Sequence, residues 1–176
     1  RVFLIEIFGG LMGMFCFYRF GFSLETILMF VIAMILFAIT MIDFDTMIIP
    51  DGLNIAMLLV SIVLMYVRHM SLLESIIGMF CISVPMILLN VLIAESFGGG
   101  DIKLMFVSGI ALGWKYSLLA AFIGILLAGS YSIYLLVSKK IDKKGHIAFG
   151  PYLSIGIFIA LSYGSEIIGW YLNLMM

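Results

Sequence analysis

Phe97-Gly98-Gly99-Gly100-Asp101-Ile102-Lys103-Leu104 lies between two long apolar runs, and its three glycines followed by an acid decide how the chain is read. A carboxylate beside hydrocarbon is costly, which marks Asp101 as a candidate functional group. Glycine, lacking a Cβ, lets a second backbone approach closely and permits positive φ. The matching acid upstream is Asp43, in Ile42-Asp43-Phe44-Asp45, where another apolar run ends. The rest of the chain is expected to hold these two acids together.

Composition supports a membrane setting. Of the 176 residues 65% are hydrophobic and only 11% charged, and the mean hydropathy is +1.29. A soluble domain carries about 25% charged residues. The expected fold is all-α, a polytopic membrane helix bundle forming one integral membrane domain over 1–176. A spanning helix needs about 20 apolar residues, and seven segments fit or approach that rule: 2–18, 24–42, 53–67, 71–94, 101–114, 117–137 and 151–172. Ser71 followed three residues later by Glu74 reads as a capping box opening the fourth. Pro85 is tolerable inside it because neighbouring helices satisfy the freed backbone groups. Gly109 and Gly113 interrupt the fifth segment, and Gly164 is a candidate break in the seventh. Cys16 and Cys81 are isolated in apolar runs and read as small buried hydrophobes. Without a CxxC or a His/Cys cluster, no metal site is expected. No basic patch with interleaved aromatics points to nucleic acid. Opening on Arg1 rather than Met, the chain reads as a processed or truncated product.

The basic residues orient the bundle. With seven crossings, Arg1, Lys103, Lys139, Lys140, Lys143 and Lys144 fall on one side and Arg19, Arg68 and Lys115 on the other. The richer side is expected in the cytoplasm, with the 139–146 loop, His146 included, as its anchor. Asp43, Asp45, Asp51, Glu95 and Asp101 fall on that same side.

Two carboxylates a few ångströms apart share a proton and titrate as a pair. One then serves as general base toward water while the other protonates a carbonyl. Helix dipoles make Asp43, at a C-terminal end, the expected proton holder, and Asp101, at an N-terminal end, the charged member. Taken singly, Asp101 would pass for an N-cap and Asp43 for an interfacial acid; their common face is what joins them. Asp51 follows Pro50 and is expected to cap the third helix or touch substrate. Asp45 either tunes Asp43 or is solvated, and Glu6 either bonds a neighbouring helix or lines the cavity. Lys103, two residues beyond Asp101, is expected to point the other way and snorkel. Asp51 and Glu95 add more negative charge to that face than the pair itself needs.

The ordered set of Ile42-Asp43-Phe44-Asp45, Ile49-Pro50-Asp51 and Gly98-Gly99-Gly100-Asp101-Ile102-Lys103-Leu104 resembles the type IV prepilin peptidases, which are GxGD-type membrane aspartic proteases. Glu6 and Phe149-Gly150-Pro151-Tyr152-Leu153 also look like family positions, so the resemblance spans nearly the whole chain. It implies Asp43 and Asp101 as the catalytic pair. Glu6, Asp45, Asp51, Glu95, Gly98, Gly100 and Lys103 are the expected supporting set. It also implies removal of a basic leader from prepilins and pseudopilins at the cytoplasmic face of a bacterial inner or plasma membrane, after a Gly and before the substrate's apolar helix. Longer members also N-methylate the new terminus with S-adenosylmethionine and carry an upstream domain with paired CxxC motifs, often zinc-binding. That domain is not in this sequence, so no cofactor is expected here. Ala148 stands where many members have Pro. The rival readings are a protease of the presenilin or signal-peptide-peptidase kind, whose first aspartate follows Tyr deep in a helix, and a proton-coupled transporter, whose acids sit near the midplane.

Overall fold

The computed structural model describes residues 2–93, 97–138 and 148–175, and these residues are helical apart from short turns and helix ends. The elements are α1 (Val2–Phe20), α2 (Leu24–Thr46), α3 (Asp51–Val67), α4 (Leu72–Leu92), α5 (Gly99–Val137) and α6 (Gly150–Met175). Four of them, α2, α4, α5 and α6, are long and apolar enough to cross a membrane, while α3 is apolar but has 17 residues. The protein is a multi-pass membrane helix bundle.

Local chemistry sets the helix ends, with some departures from expectation. The Ser23 side chain accepts the Thr26 N–H at 3.2 Å and starts α2, relieving one of the unpaired first-turn amides. At its other end α2 runs past the expected boundary to Thr46. Asp43 therefore sits in the last turn of the helix rather than closing it. Thr46 bonds back to the Ile42 carbonyl at 2.9 Å, and Met47, in the left-handed region, donates its N–H to the Asp43 carbonyl. Ser71 occupies the cap position of α4 but makes no side-chain cap bond, so the expected capping box does not form. Gly164 does not break α6. It lets the Tyr116 ring pack against the helix, where a Cβ would come within 2.6 Å of the ring.

The expected fifth and sixth segments are one 39-residue element interrupted at Gly113, whose φ of 65° and ψ of 178° are not helical. An L side chain rarely adopts that φ. The two limbs fold back on each other. Asp101 shares a pocket with Asp43, which touches Gly150 at the start of α6. Gly124 packs on Leu153, in the first turn of the same helix. A straight helix would hold Asp101 and Gly124 about 34 Å apart. The expected fifth and sixth segments are thus the two limbs of α5, and the described residues form six elements, the fifth sharply bent at Gly113.

In a membrane, close van der Waals packing replaces the hydrophobic drive for helix association, and small residues permit it. Here α4 and α5 touch backbone to backbone. A Cβ on Gly78 would lie 2.3 Å from the Gly109 carbonyl oxygen, and one on Gly109 would lie 2.4 Å from that of Gly78. The Ser117 hydroxyl donates to the Gly78 carbonyl at 3.4 Å. Likewise a Cβ on Gly156 of α6 would meet the Ala120 carbonyl oxygen at 2.2 Å. Met29, Ile32, Ile39, Met57, Leu104 and Ile157 are fully enclosed between the helices. The outward faces stay apolar, with Phe17, Ile27, Phe80 and Phe122 among the exposed side chains.

Arg19, Arg68 and Lys115 gather at one end of the bundle, together with Glu25 and Glu74. Arg68 pairs with Glu25 at 2.8 Å and donates to the Leu161 carbonyl at 2.9 Å, while Arg19 pairs with Glu166. Glu25 opens α2 and Asp43 is near its far end, so the two acids of interest lie at the opposite end of the bundle from these arginines.

Candidate functional site

The ends of α2, α3 and α5 converge on one open pocket of about 360 Å³ lined by Asp43, Met47, Ile48, Ile49, Pro50, Asp51, Gly98, Gly99, Gly100, Asp101 and Lys103. The last turn of α2 supplies Asp43 and the first turn of α5 supplies Asp101. Both are buried, 4% and 7% exposed. The first turn of α6 completes the site: the Gly150 N–H donates to Asp43 Oδ2 at 3.0 Å. A helix N-terminus has unpaired amides and a positive dipole end, so it suits a carboxylate.

The glycines explain how these ends come so close. A Cβ on Gly150 would sit 2.7 Å from Asp43 Oδ2, and one on Gly100 would sit 2.7 Å from Ile49 Cβ. Ile49, 6% exposed, is the wedge between them, since a Cβ on Gly150 would also lie 3.2 Å from its Cδ1. A Cβ on Gly98 would fall 3.0 Å from Asp101 Oδ2, whereas one on Gly99 would meet nothing within 4 Å. Gly100 is therefore needed for fit, Gly98 is tight against the Asp101 carboxylate, and Gly99 is unconstrained.

Two polar contacts important to the site were not read from the sequence. Asn90, near the end of α4, grips both backbone groups of Phe97: its Nδ2 donates to the Phe97 carbonyl at 2.8 Å, and its Oδ1 accepts the Phe97 N–H at 2.7 Å. The Phe97 ring packs on Phe149, centroids 5.6 Å apart, next to Gly150. Asn90 thus fixes the chain leading into Asp101 and, through the ring pair, ties it to the end of α6 that holds Asp43. An amide seven residues before Phe97 in an otherwise apolar segment was the available signal. Gly150 was noted only by resemblance; its backbone N–H could not be assigned a partner from sequence.

The remaining expected residues divide. Asp51 is the first residue of α3, with Pro50 at the cap position. It pairs with Lys103 at 2.7 Å at the pocket edge, both side chains well exposed. Lys103 therefore turns toward the pocket rather than away from it, because α5 presents both Asp101 and Lys103 to the space beside α3. Asp45 and Glu6 are exposed, on α2 and α1, and do not line the pocket. Glu95 and the 139–146 loop lie outside the described residues. Asp101 Oδ1 is buried with no hydrogen-bond partner among the described residues. Among the described residues no group of three or more His, Cys, Asp or Glu side chains is placed to share a metal ion.

Fold and site together define the class: a polytopic helical membrane protein in which two buried carboxylates from different helices share one pocket. The chain belongs to the type IV leader peptidase family, whose pattern matches residues 30–133, a stretch that includes both carboxylates, Asp51 and the glycine motif. It is similar to proteins named prepilin leader peptidase/N-methyltransferase. That of Stutzerimonas stutzeri is 29% identical over 176 residues, covering 97% of this chain and 61% of the relative. That of Bacillus subtilis is 30% identical over 162 residues, covering 90% and 64%. That of Aeromonas hydrophila is 31% identical over 147 residues, covering 79% and 50%. The chain thus spans less than two thirds of the length of these relatives. No solved structure matches it.

Proposed function

We propose that this chain is a membrane aspartic endopeptidase that removes the leader from prepilins or related pseudopilins, with Asp43 and Asp101 as its catalytic pair. The observation that carries the reading is the meeting of these two buried acids in one open pocket, in a chain of this family. One carboxylate takes a proton from water as the water oxygen attacks the scissile carbonyl carbon. The other gives its proton to the carbonyl oxygen. Collapse of the tetrahedral intermediate breaks the C–N bond, and the leaving amine takes up a proton. Such a step requires only water and the shared proton. Hydrogen bonding divides the roles. Each carboxylate takes one backbone N–H, Asp43 from Gly150 and Asp101 from Gly98, and the buried Asp101 Oδ1, which has no partner among the described residues, suits the member carrying the proton. This assignment reverses the one from helix dipoles alone, because an enclosed carboxylate oxygen with no hydrogen-bond partner disfavours the charged form.

The site faces the cytoplasm of a bacterial inner or plasma membrane in this reading. The gathering of Arg19, Arg68 and Lys115 at the far end, against the larger number of basic residues on the Asp side of the sequence, supports it. A basic leader would lie near Asp51 at the pocket edge, and the substrate's apolar helix would remain in lipid or against the bundle. Cleavage alone is proposed for this chain. Purified Asp43→Asn and Asp101→Asn variants should each lose at least about 1,000-fold in cleavage of a prepilin. Because the pair acts as a unit, the double variant should be no worse. Substantial cleavage by either single variant rejects the assignment.

A further inference from the structure

A second cavity of about 530 Å³ leads away from the carboxylate pocket between α3, α4 and α5, and the Asp51–Lys103 pair lines both spaces. Its walls follow helical spacing: Ile55 and Leu58 on α3, Phe80, Val84 and Ile87 on α4, and Phe106 on α5. All are apolar, and several face outward. Two buried wall residues break the pattern, and one of them, Ser83, is satisfied by its own helix, donating to the Met79 carbonyl at 2.7 Å. Asn54, one turn beyond Asp51 on α3, is 4% exposed, and neither its Nδ2 nor its Oδ1 has a hydrogen-bond partner among the described residues.

An acyl chain could cover the apolar walls but has no donor or acceptor for a carboxamide, and an unpaired polar group in such surroundings is destabilising. An occupant suited to both features brings apolar side chains together with free backbone groups. A peptide unwound near a scissile bond does both, since its local C=O and N–H have lost their helical partners. The same structure shows the matching interaction, because Asn90 uses one carboxamide to bond both backbone groups of Phe97.

We propose that the groove between α3, α4 and α5 receives the apolar segment of the substrate beyond the scissile bond, and that Asn54 pairs with the backbone of one residue of that unwound segment. The inference rests on the peptidase reading and names where that activity holds its substrate. Asn54 acts as a substrate-binding residue; Asp43 and Asp101 carry the chemistry. The groove begins beside the carboxylates and is apolar beyond them, so a peptide lying in it presents its basic leader to Asp51 and its apolar part to α4.

The test is photocrosslinking in Asp101→Asn protein, which separates binding from cleavage. A photoreactive phenylalanine analogue is placed at Ile55 or Val84 in the groove, or at Phe17 on α1 as the control. The probe is a synthetic peptide with a Lys-rich leader, a Gly and an apolar segment of about 20 residues, in lipid nanodiscs. Crosslinks should form from Ile55 and Val84, at least fivefold above Phe17. Asn54→Leu should reduce them about fivefold, and Leu58→Trp, which fills the groove without touching Asn54 chemistry, should do the same. Equal crosslinking from Phe17, or groove crosslinks unchanged by both variants, overturns the proposal. In parallel, cleavage by the otherwise unmodified Asn54→Leu protein should show KM raised about tenfold with kcat within threefold. Loss of the raised KM on a peptide lacking the apolar segment is expected; an equal KM defect on both peptides overturns the role of Asn54. If Asp101→Asn still cleaves while the groove crosslinks, the catalytic assignment falls and the groove stands; if it is inactive and the crosslinks lie elsewhere, the groove falls alone.

Discussion

Gly150 offers the sharpest test of how the site is built. Replacing it with Ala places a methyl carbon 2.7 Å from Asp43 Oδ2, 3.1 Å from its Cγ and 3.2 Å from Ile49 Cδ1. None of these contacts is tolerable at the present positions. Ile49 is held against Gly100, where a Cβ would already lie 2.7 Å from Ile49 Cβ, so it has little room to retreat. The carboxylate must move instead, by roughly 1 Å to regain ordinary contact. That movement breaks the 3.0 Å bond from the Gly150 N–H, a hydrogen bond to a charged group worth about 1.5–3 kcal/mol. A displacement of about 1 Å in a reacting group costs about 100-fold in rate, close to 2.7 kcal/mol at 1.36 kcal/mol per tenfold. The expected outcome is a kcat reduced about 100-fold with KM within threefold, since the leader and the apolar segment bind elsewhere. Gly99→Ala is the matched control within the glycine motif, because its added Cβ meets nothing within 4 Å; it should retain activity within threefold. The assay is a time course of leader removal by purified variants, with thermal unfolding followed in the same detergent. A Gly150→Ala protein that folds and keeps kcat within threefold of the parent would refute the reasoning, and the Asp43–Gly150 contact would be incidental.

Other expectations follow from the same contacts. Asn90→Leu removes both bonds to Phe97, each contributing about 1 kcal/mol net, and should lower Tm by several degrees and kcat about tenfold; unchanged thermal unfolding and turnover would show that Phe97 is held by its ring alone. Asp51→Asn should raise KM for a Lys-rich leader two- to fivefold at low salt and less at high salt, with kcat within twofold, because the Asp51–Lys103 pair is exposed and such pairs contribute at most about 1 kcal/mol. An equal effect on a leader with its lysines neutralised would show that Asp51 does not meet the leader. Gly78→Ala forces a Cβ to within 2.3 Å of the Gly109 backbone oxygen, so α4 and α5 must separate. The variant should accumulate poorly in the membrane or unfold at least 10 °C lower, as judged by a thermal shift of the purified protein.

Hydropathy and local motif spacing were enough to establish an all-helical membrane bundle and to locate acids near the ends of apolar runs. Both properties are local: a run of apolar residues must satisfy its backbone within itself in lipid, which makes it a helix whatever its neighbours do. Asp43, Asp101 and the glycines that precede Asp101 were legible for the same reason, since a charge beside hydrocarbon stands out in the string. Which way each helix turns was not legible. Helices apolar on every side carry no amphipathic stripe to mark the inward face, so the sequence could not show that Lys103 leans toward Asp51 or that Asn54 faces a groove. The fold-back at Gly113, the Asn90 grip on Phe97 and the bond from Gly150 to Asp43 join residues far apart in the chain or depend on one backbone angle. They exist only because close glycine contacts bring α4, α5 and α6 to backbone distance. The sequence determined which groups carry charge and which segments enter the membrane; tertiary packing decided which of those groups meet, because contact depends on helix rotation and approach that no local pattern specifies.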